Sequence, residues 1–397
     1  MQALIPILLM LFVTSPTSNA RIAAEVSNVD VNVVDFGAVG DGESDDTQAL
    51  LKAWSNVCGA SQGTPTLNIP KGKTFMLQPV LFNGPCKSPS INVKLEGKIV
   101  APKSMNAWKW SDSVRDMWIQ FANIDGLVIN GGGQIDGQGA VWWNGCKENC
   151  VRPTALHIHN CKNLQFSRLT HLNSPRNHIS ISACDGANIS NLRTTAPDES
   201  PNTDGIDISE STNVRIENSF MATGDDCIAV NSGCSFINIT GITCGPGHGI
   251  SIGSLGANGA HNTVEEIHVR NCSFKGTQNG VRIKTWQGGS GYARKITFED
   301  IKFDAASNPV IIDQYYNPNP QMDVSNGVKV SDVTYRNVHG TSANEKAISI
   351  NCDNTVPCTN IVIDHANITS SVPGKKTFAV CSNAHGTSTT SVPTVGL

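Results

Sequence analysis

The sequence predicts an all-β fold: a single-domain right-handed parallel β-helix (a β-solenoid) with a short helix capping its N-terminal end. Three observations carry this expectation. Short apolar-alternating runs begin near Ala155, His178, Gly205, Cys227, Gly249, Gly280 and Val310, at intervals of 22 to 31 residues. A second strand-like run follows within each interval, as in Asn163-Leu164-Gln165-Phe166, Asn213-Val214-Arg215-Ile216 and Lys295-Ile296-Thr297-Phe298. The 36 glycines, with frequent Asn, Ser and Thr, supply turns between β-branched stretches. A period of this length with several strands per repeat marks a solenoid, whose coils stack about 4.8 Å apart around one apolar core. A leucine-rich repeat would need Leu at fixed spacing, and a propeller its Trp-Asp period. Neither occurs.

The elements follow in chain order. Residues 3–13 are almost wholly apolar and are followed by Ser18-Asn19-Ala20, so residues 1–20 read as a signal peptide. The apolar run is too short to span a bilayer, which needs about 20 such residues. Residues 21–397 are therefore expected to be one secreted domain with no membrane contact in the mature form. Residues 30–36 suggest a strand. The acidic Gly-rich stretch 37–42 has neither EF-hand ligand spacing nor a phosphate-loop lysine, so it reads as a turn. Asp45 and Gln48 resemble a capping box, and Ala49, Leu50, Ala53, Trp54 and Val57 form an apolar stripe at helical spacing. A helix over 46–57 results, well placed to cover the first coil. Strand signals follow at 66–69, 74–77, 92–99, 117–121 and 127–130, before the repeat tightens.

A net charge of −4 lacks the basic field of a nucleic-acid binder. Thirteen cysteines suit an oxidising compartment, and no Cys-x-x-Cys pair suggests zinc. Spacing offers Cys146 with Cys150, Cys227 with Cys244, and Cys352 with Cys358 as disulfides, and an odd count leaves at least one thiol over. Four sequons, at Asn188, Asn238, Asn271 and Asn367, are candidate glycosylation sites.

Polar motifs gather between residues 202 and 284: Asn202-Thr203-Asp204, Gly224-Asp225-Asp226, Gly247-His248-Gly249 and Arg282-Ile283-Lys284. Each abuts one of the apolar runs. Stacking those runs puts Asp204, Asp226, His248 and Asn279 at one equivalent position, in steps of 22, 22 and 31 residues. With Ile206, Ile208, Ile228, Val230, Ile250 and Ile252 turned inward, the ladder faces out, and Arg282 and Lys284 share its face. Asp225 falls on the opposite phase, and Gly224 beside it permits a turn that could bring both carboxylates together. A lone Asp pair is more often a solvated turn, and a lone His a satisfied side chain. A ladder of acids with no purpose would be repulsive, however, and crowding raises at least one carboxyl pKa. One protonated and one ionised carboxyl are what glycoside hydrolysis needs, and the cations would neutralise an anionic substrate. No metal or cofactor is called for.

These four motifs, in this order, resemble those of the polygalacturonases (glycoside hydrolase family 28), and the similarity runs over nearly the whole mature chain. The stretches 200–207 and 280–294 look most like the pollen exopolygalacturonases of plants. The resemblance implies hydrolysis of α-1,4-linked galacturonan in pectin with inversion, outside the cell or in the plant cell wall, by a monomeric enzyme. It makes Asp225 the general acid, Asp204 and Asp226 the pair that activates water, and His248 the residue that tunes or assists the acid. Arg282 and Lys284 would bind the galacturonate carboxylate, with Asn202 and Tyr316 or Tyr315 shaping the subsite. Cys227 and Cys244 match a bridge beside the family's active site. Cys381 lacks the late cysteine that relatives usually carry. Endo action, a pectate-lyase-like enzyme needing calcium, and a non-catalytic binding solenoid are the alternatives.

Overall fold

The computed structural model describes residues 29–110, 116–146, 150–316 and 326–397. The expected signal peptide lies outside them. The chain winds as a parallel β-helix, right-handed as parallel crossovers are. One face is a sheet of eleven strands taken in chain order, from Val80–Asn83 through Thr154–His159, Ile179–Ser182, Ile206–Ser209, Ile228–Val230, Ile250–Leu255, Asn279–Thr285 and Asn308–Asp313 to Phe378–Ser382. The other strands make two further ladders. These fuse where His261–Lys275, Ser290–Ala306, Lys329–Ser342 and Cys358–Ser370 each do the work of two earlier strands. Every pairing between these named strands is parallel.

Register on the eleven-stranded face follows the sequence period. Leu156, Ile179, Ile206, Ile228, Ile250, Val281 and Val310 stack, and so do Ile158, Ile181, Ile208, Val230, Ile252, Ile283 and Ile312. All of them are buried, so the core is two columns of branched side chains on this face. The repeat starts at 155, 178, 205, 227, 249 and 280 hold this register. The start at Val310 is one residue late, because Val310 itself pairs with Val281. The bends between faces need left-handed backbone, which Asn and Gly tolerate best. Asn163, Gly186, Asn213, Phe236, Glu266, Lys295, Asp332 and Asn360 all have positive φ at one equivalent place in successive coils.

The helix Thr47–Gly59 caps the stack with Ala49, Leu50, Ala53, Trp54 and Val57 buried. Trp54 meets Phe82 and Phe121 edge-on, with centroids at 5.6 and 5.7 Å. The expected capping box does not form. Asp46 is the N-cap residue but makes no side-chain cap, because its carboxylate accepts from the Val39 and Gly40 N–H groups. Asp45 instead reaches Thr47. The strand expected over 30–36 stops at Asn32 and tightens into a 3₁₀ turn, Val33–Phe36. The single strand expected over 92–99 is two, Ile91–Leu95 and Lys98–Val100, with a corner between them. The three short-range disulfides form as spacing suggests. A fourth, Cys58–Cys86, ties the helix to the first coils across 28 residues, a separation with no local signal. Cys161, Cys184, Cys234, Cys272 and Cys381 are free thiols.

Candidate active site

The site forms where loops enter the strands Ile206–Ser209, Ile228–Val230, Ile250–Leu255 and Asn279–Thr285. Asp204, Asp226, His248 and Asn279 each precede the stacked residue of their strand by two, so they hold one equivalent position. The nearest oxygens of Asp204, Asp225 and Asp226 lie within 4.8 Å of one another. Asp226 is buried and accepts from both cations and a hydroxyl: Arg282 Nη2 and Ser251 Oγ donate to Oδ1, and Lys284 Nζ to Oδ2, all at 2.8 Å. Arg282 Nε also donates to Ser251 Oγ, at 2.9 Å. Tyr316 lies across these cations, its ring centre 5.2 Å from Lys284 Nζ and 5.8 Å from Arg282 Cζ.

Asp225 takes a different set of partners. Its Oδ1 is 3.0 Å from His248 Nδ1 and accepts the Asp226 N–H at 2.8 Å, and its Oδ2 accepts from Asn202 Nδ2 at 3.3 Å. Gly224 brings it there by close approach, not by an unusual backbone angle. A Cβ at Gly224 would sit 2.1 Å from the Ser200 carbonyl oxygen, so the loop 223–227 packs directly on the loop below. Gly249 is a second such point: its φ is +90°, and a Cβ would meet the Gly280 oxygen at 2.2 Å.

Crowding sorts the carboxyl groups. Burial and the charges of Asp207, Asp225 and Asp226 push Asp204 well above the ordinary carboxylate range, with Lys284 opposing. Burial pushes Asp225 up too, but the hydrogen bond and charge of His248, the Asp226 N–H and Lys284 outweigh it, leaving Asp225 below its ordinary value. Asp207 is pushed up to about 7 by burial and by Asp226, against the pull of Arg176 and Lys284.

Asp207 is the fourth carboxyl of the site. It points out between buried Ile206 and Ile208, and its row continues through Ala229 and Ser251 to Arg282. Alternation alone turns it outward; register is needed to see what stands beyond it. Arg152 is a second residue without a sequence signal. It lies in a loop, donates to the Pro201 oxygen, and donates from Nη2 to Asn202 Oδ1 at 2.6 Å. Of the paired tyrosines, Tyr316 covers the cations. Tyr315 turns toward Asp353, and burial and that charge raise its hydroxyl pKa. The four sequons are exposed and lie on the other two faces, away from this site.

Three carboxyl groups this close could hold a cation, but the oxygens of two of them are already engaged. Asp226 faces Arg282, Lys284 and Ser251, and Asp225 faces His248 and two N–H donors, so a metal would have to displace a guanidinium and an ammonium.

The pattern of Glycosyl hydrolases family 28 matches residues 58–392. The chain belongs to that family. This family 28 hydrolase is 52% identical, over 91% of its length and 79% of the relative's, to a probable polygalacturonase of Arabidopsis thaliana. It is 40% identical, over 89% and 87% of the two chains, to an exopolygalacturonase of Zea mays. The structure of an endo-xylogalacturonan hydrolase from Aspergillus tubingensis superposes with a TM-score of 0.77 at 25% identity, covering 92% of this chain and all of that one. The hydrolase is thus an enzyme related to plant polygalacturonases. No helix among its described residues is long and apolar enough to cross a membrane.

Proposed function

We propose that this family 28 hydrolase is secreted to the cell wall and cleaves α-1,4-galacturonosyl linkages of polygalacturonate, exo-acting and with inversion. The observation that supports this most directly is the arrangement of three crowded carboxyl groups beside Arg282 and Lys284 under Tyr316. It pairs acid/base chemistry with a receptor for a sugar carboxylate. Arg282 and Lys284 hold that carboxylate, and Asn202 fixes Oδ2 of the acid. Asp225 protonates the leaving oxygen, drawing on the proton it shares with His248, while Asp204 and Asp226 take the proton of the attacking water. An anionic sugar drawn onto Lys284 weakens that lysine's hold on Asp225 and raises its affinity for the proton.

Inversion rests on the family resemblance. The nearest carboxyl oxygens are closer than the roughly 6.5–9.5 Å between carboxyl groups of inverting glycosidases. An inverting enzyme releases a β-anomeric reducing end first, readable by NMR before mutarotation equilibrates the anomers. Exo action predicts monogalacturonate as the sole early product, whereas a ladder of oligomers would make the enzyme endo-acting. Activity should persist in excess chelator without unsaturated product; growth of its absorbance would make the enzyme a lyase.

A second reading exchanges the carboxyl roles, favoured by the raised pKa of Asp204. Two variants separate them. Asp225→Asn should lower kcat on polygalacturonate by about 10²–10⁴-fold, the usual worth of a general acid. It should keep most of its rate on a nitrophenyl galacturonide, whose leaving group needs no proton. If Asp204→Asn shows that pattern and Asp225→Asn does not, Asp204 is the acid.

A further inference from the structure

Two guanidinium groups stand on the N-terminal side of the carboxyl cluster, across it from Arg282 and Lys284. Arg176 precedes the stacked Ile179 by three residues, as Asp225 precedes Ile228, so it holds the Asp225 position two coils earlier. It is exposed, and among the described residues no carboxylate makes an ion pair with it. Arg152 lies one coil earlier still and, among the described residues, bonds to the neutral Pro201 oxygen and Asn202 amide and to no carboxylate. Burial lowers its pKa, and so does the neighbouring Arg176 charge, with Asp225 pulling the other way. Two like charges thus act on each other beside the acid, with Asp225 pulling on Arg152 and Arg176 pulling on Asp207.

The floor between these cations and the carboxyl cluster is polar. The outward row runs from His157 through Ser180 to Asp207. His157 Nε2 and His159 Nδ1 both meet Ser182 Oγ, at 2.7 and 2.8 Å. Among the described residues, His157 Nδ1 and the Oδ1 of buried Asn177 have no hydrogen-bond partner. Asn177 precedes Ile179 by two and so occupies the ladder position of Asp204 and Asp226. Unpaired buried polar atoms are costly, and each such atom in a native fold calls for an explanation.

We propose that Arg176 and Arg152 form a second carboxylate-binding subsite, which takes the uronic acid on the opposite side of the cleaved bond from Arg282 and Lys284, over a floor of Ser180, His157 and Asn177. The inference deepens the polygalacturonate reading and rests on it. Geometry fits a polyanion laid across the strands. Arg176 and Arg282 are four coils apart, about 19 Å at 4.8 Å per coil, with the acids between them. A chain with one carboxylate on every sugar would be gripped on both sides of the acids.

Binding of a galacturonate trimer by calorimetry, in an Asp225→Asn background that prevents turnover, is the test. Among the described residues Arg176 makes no ion pair or side-chain hydrogen bond, and its charge acts on Asp207 and Arg152 only through space, so Arg176→Gln should fold normally. It should weaken binding about tenfold, as loss of one charge-assisted contact does. Arg176→Lys should recover most of that loss, and the gap should shrink at high salt. Binding by Arg176→Gln within about twofold of its parent overturns the proposal. So does a loss that Lys fails to rescue and salt leaves unchanged, since that marks a structural role. Turnover of polygalacturonate by the unmodified enzyme is measured separately: absence of turnover with Arg176-dependent trimer binding would refute the hydrolytic reading and leave this subsite standing.

Discussion

Asp207 shares the cleft with Asp204, Asp225 and Asp226, and its proton affinity is a property of that company. Its pKa of about 7 stands above the ordinary 3.8, so the folded chain keeps a proton that the unfolded chain has lost. The stability this brings is full below the ordinary value and is lost as pH rises through about 7. Asp207→Asn should therefore match the wild-type melting temperature near pH 4 and exceed it near pH 8. Discounted for the solvent that reaches this residue, the gain is on the order of 1–2 kcal/mol. Equal melting temperatures at both pH values would show that the carboxylate is not penalised. The same substitution removes one of the charges that raise Asp204. With Asp204 acting ionised, the acidic limb of kcat/KM should move to lower pH. A shift of the alkaline limb instead would mean that Asp204 acts in its protonated form. The sequence brought Asp226, Arg282 and Lys284 to one surface and they do meet there, but alternation is not the reason: Asp226 is in phase with buried Ile228 and Val230, and it reaches the outward cations from the loop before that strand. Of the partners of Asp225, His248 was implied by the family resemblance, while the direct bond from Asn202 was not, since Asn202 reaches it through a loop whose path no periodicity encodes.

At the scale of elements, the loop 223–227 is clamped from two sides. Below it, Gly224 lies against the Ser200 carbonyl with no room for a methyl group. Behind it, Cys227 is bonded to Cys244 across 17 residues. Gly224→Ala must push the loop away, an overpacking that costs about 1–3 kcal/mol. It must also displace Asp225, and a misplacement of about 1 Å can cost on the order of 10²-fold in rate. The expected variant is folded, a few degrees less stable, and at least tenfold slower in kcat with KM little changed. Full activity would mean that the loop yields without carrying Asp225 with it. Cys227→Ala with Cys244→Ala should lower stability by about 2–4 kcal/mol, the worth of closing a loop of this size, measured by denaturant unfolding. The bridge was legible from spacing. The tight contact at Gly224 was not, because sequence shows that a glycine is present and not whether space or backbone angle requires it.

Across the whole molecule, each coil touches its two neighbours, so stability is close to a sum of coil and interface contributions, and unfolding can begin at an exposed end. Period and alternation were enough to read this architecture, because every coil repeats the same inward Ile, Val and Leu pattern. Corners and ends escaped that reading: the 3₁₀ turn at Val33–Phe36, the absent capping box and the Cys58–Cys86 bridge all occur where there is no repeat to compare. The two ends also differ physically. At the C-terminal end Phe378, Val380 and Val392 are exposed. At the N-terminal end the helix Thr47–Gly59 covers the core, and Trp54 is wedged against Phe82 and Phe121. Trp54→Ala should cost about 3–5 kcal/mol, the range for emptying a buried aromatic site. Most of that loss should fall on the first coils, because the cleft lies on later coils with their own stacked core. Below the melting transition, limited proteolysis should therefore cut the variant first within the N-terminal coils, while kcat/KM on polygalacturonate stays within about twofold of wild type. If activity and N-terminal protection are instead lost in a single step, the coils unfold as one cooperative unit, and the cap stabilises the active site across the full length of the stack.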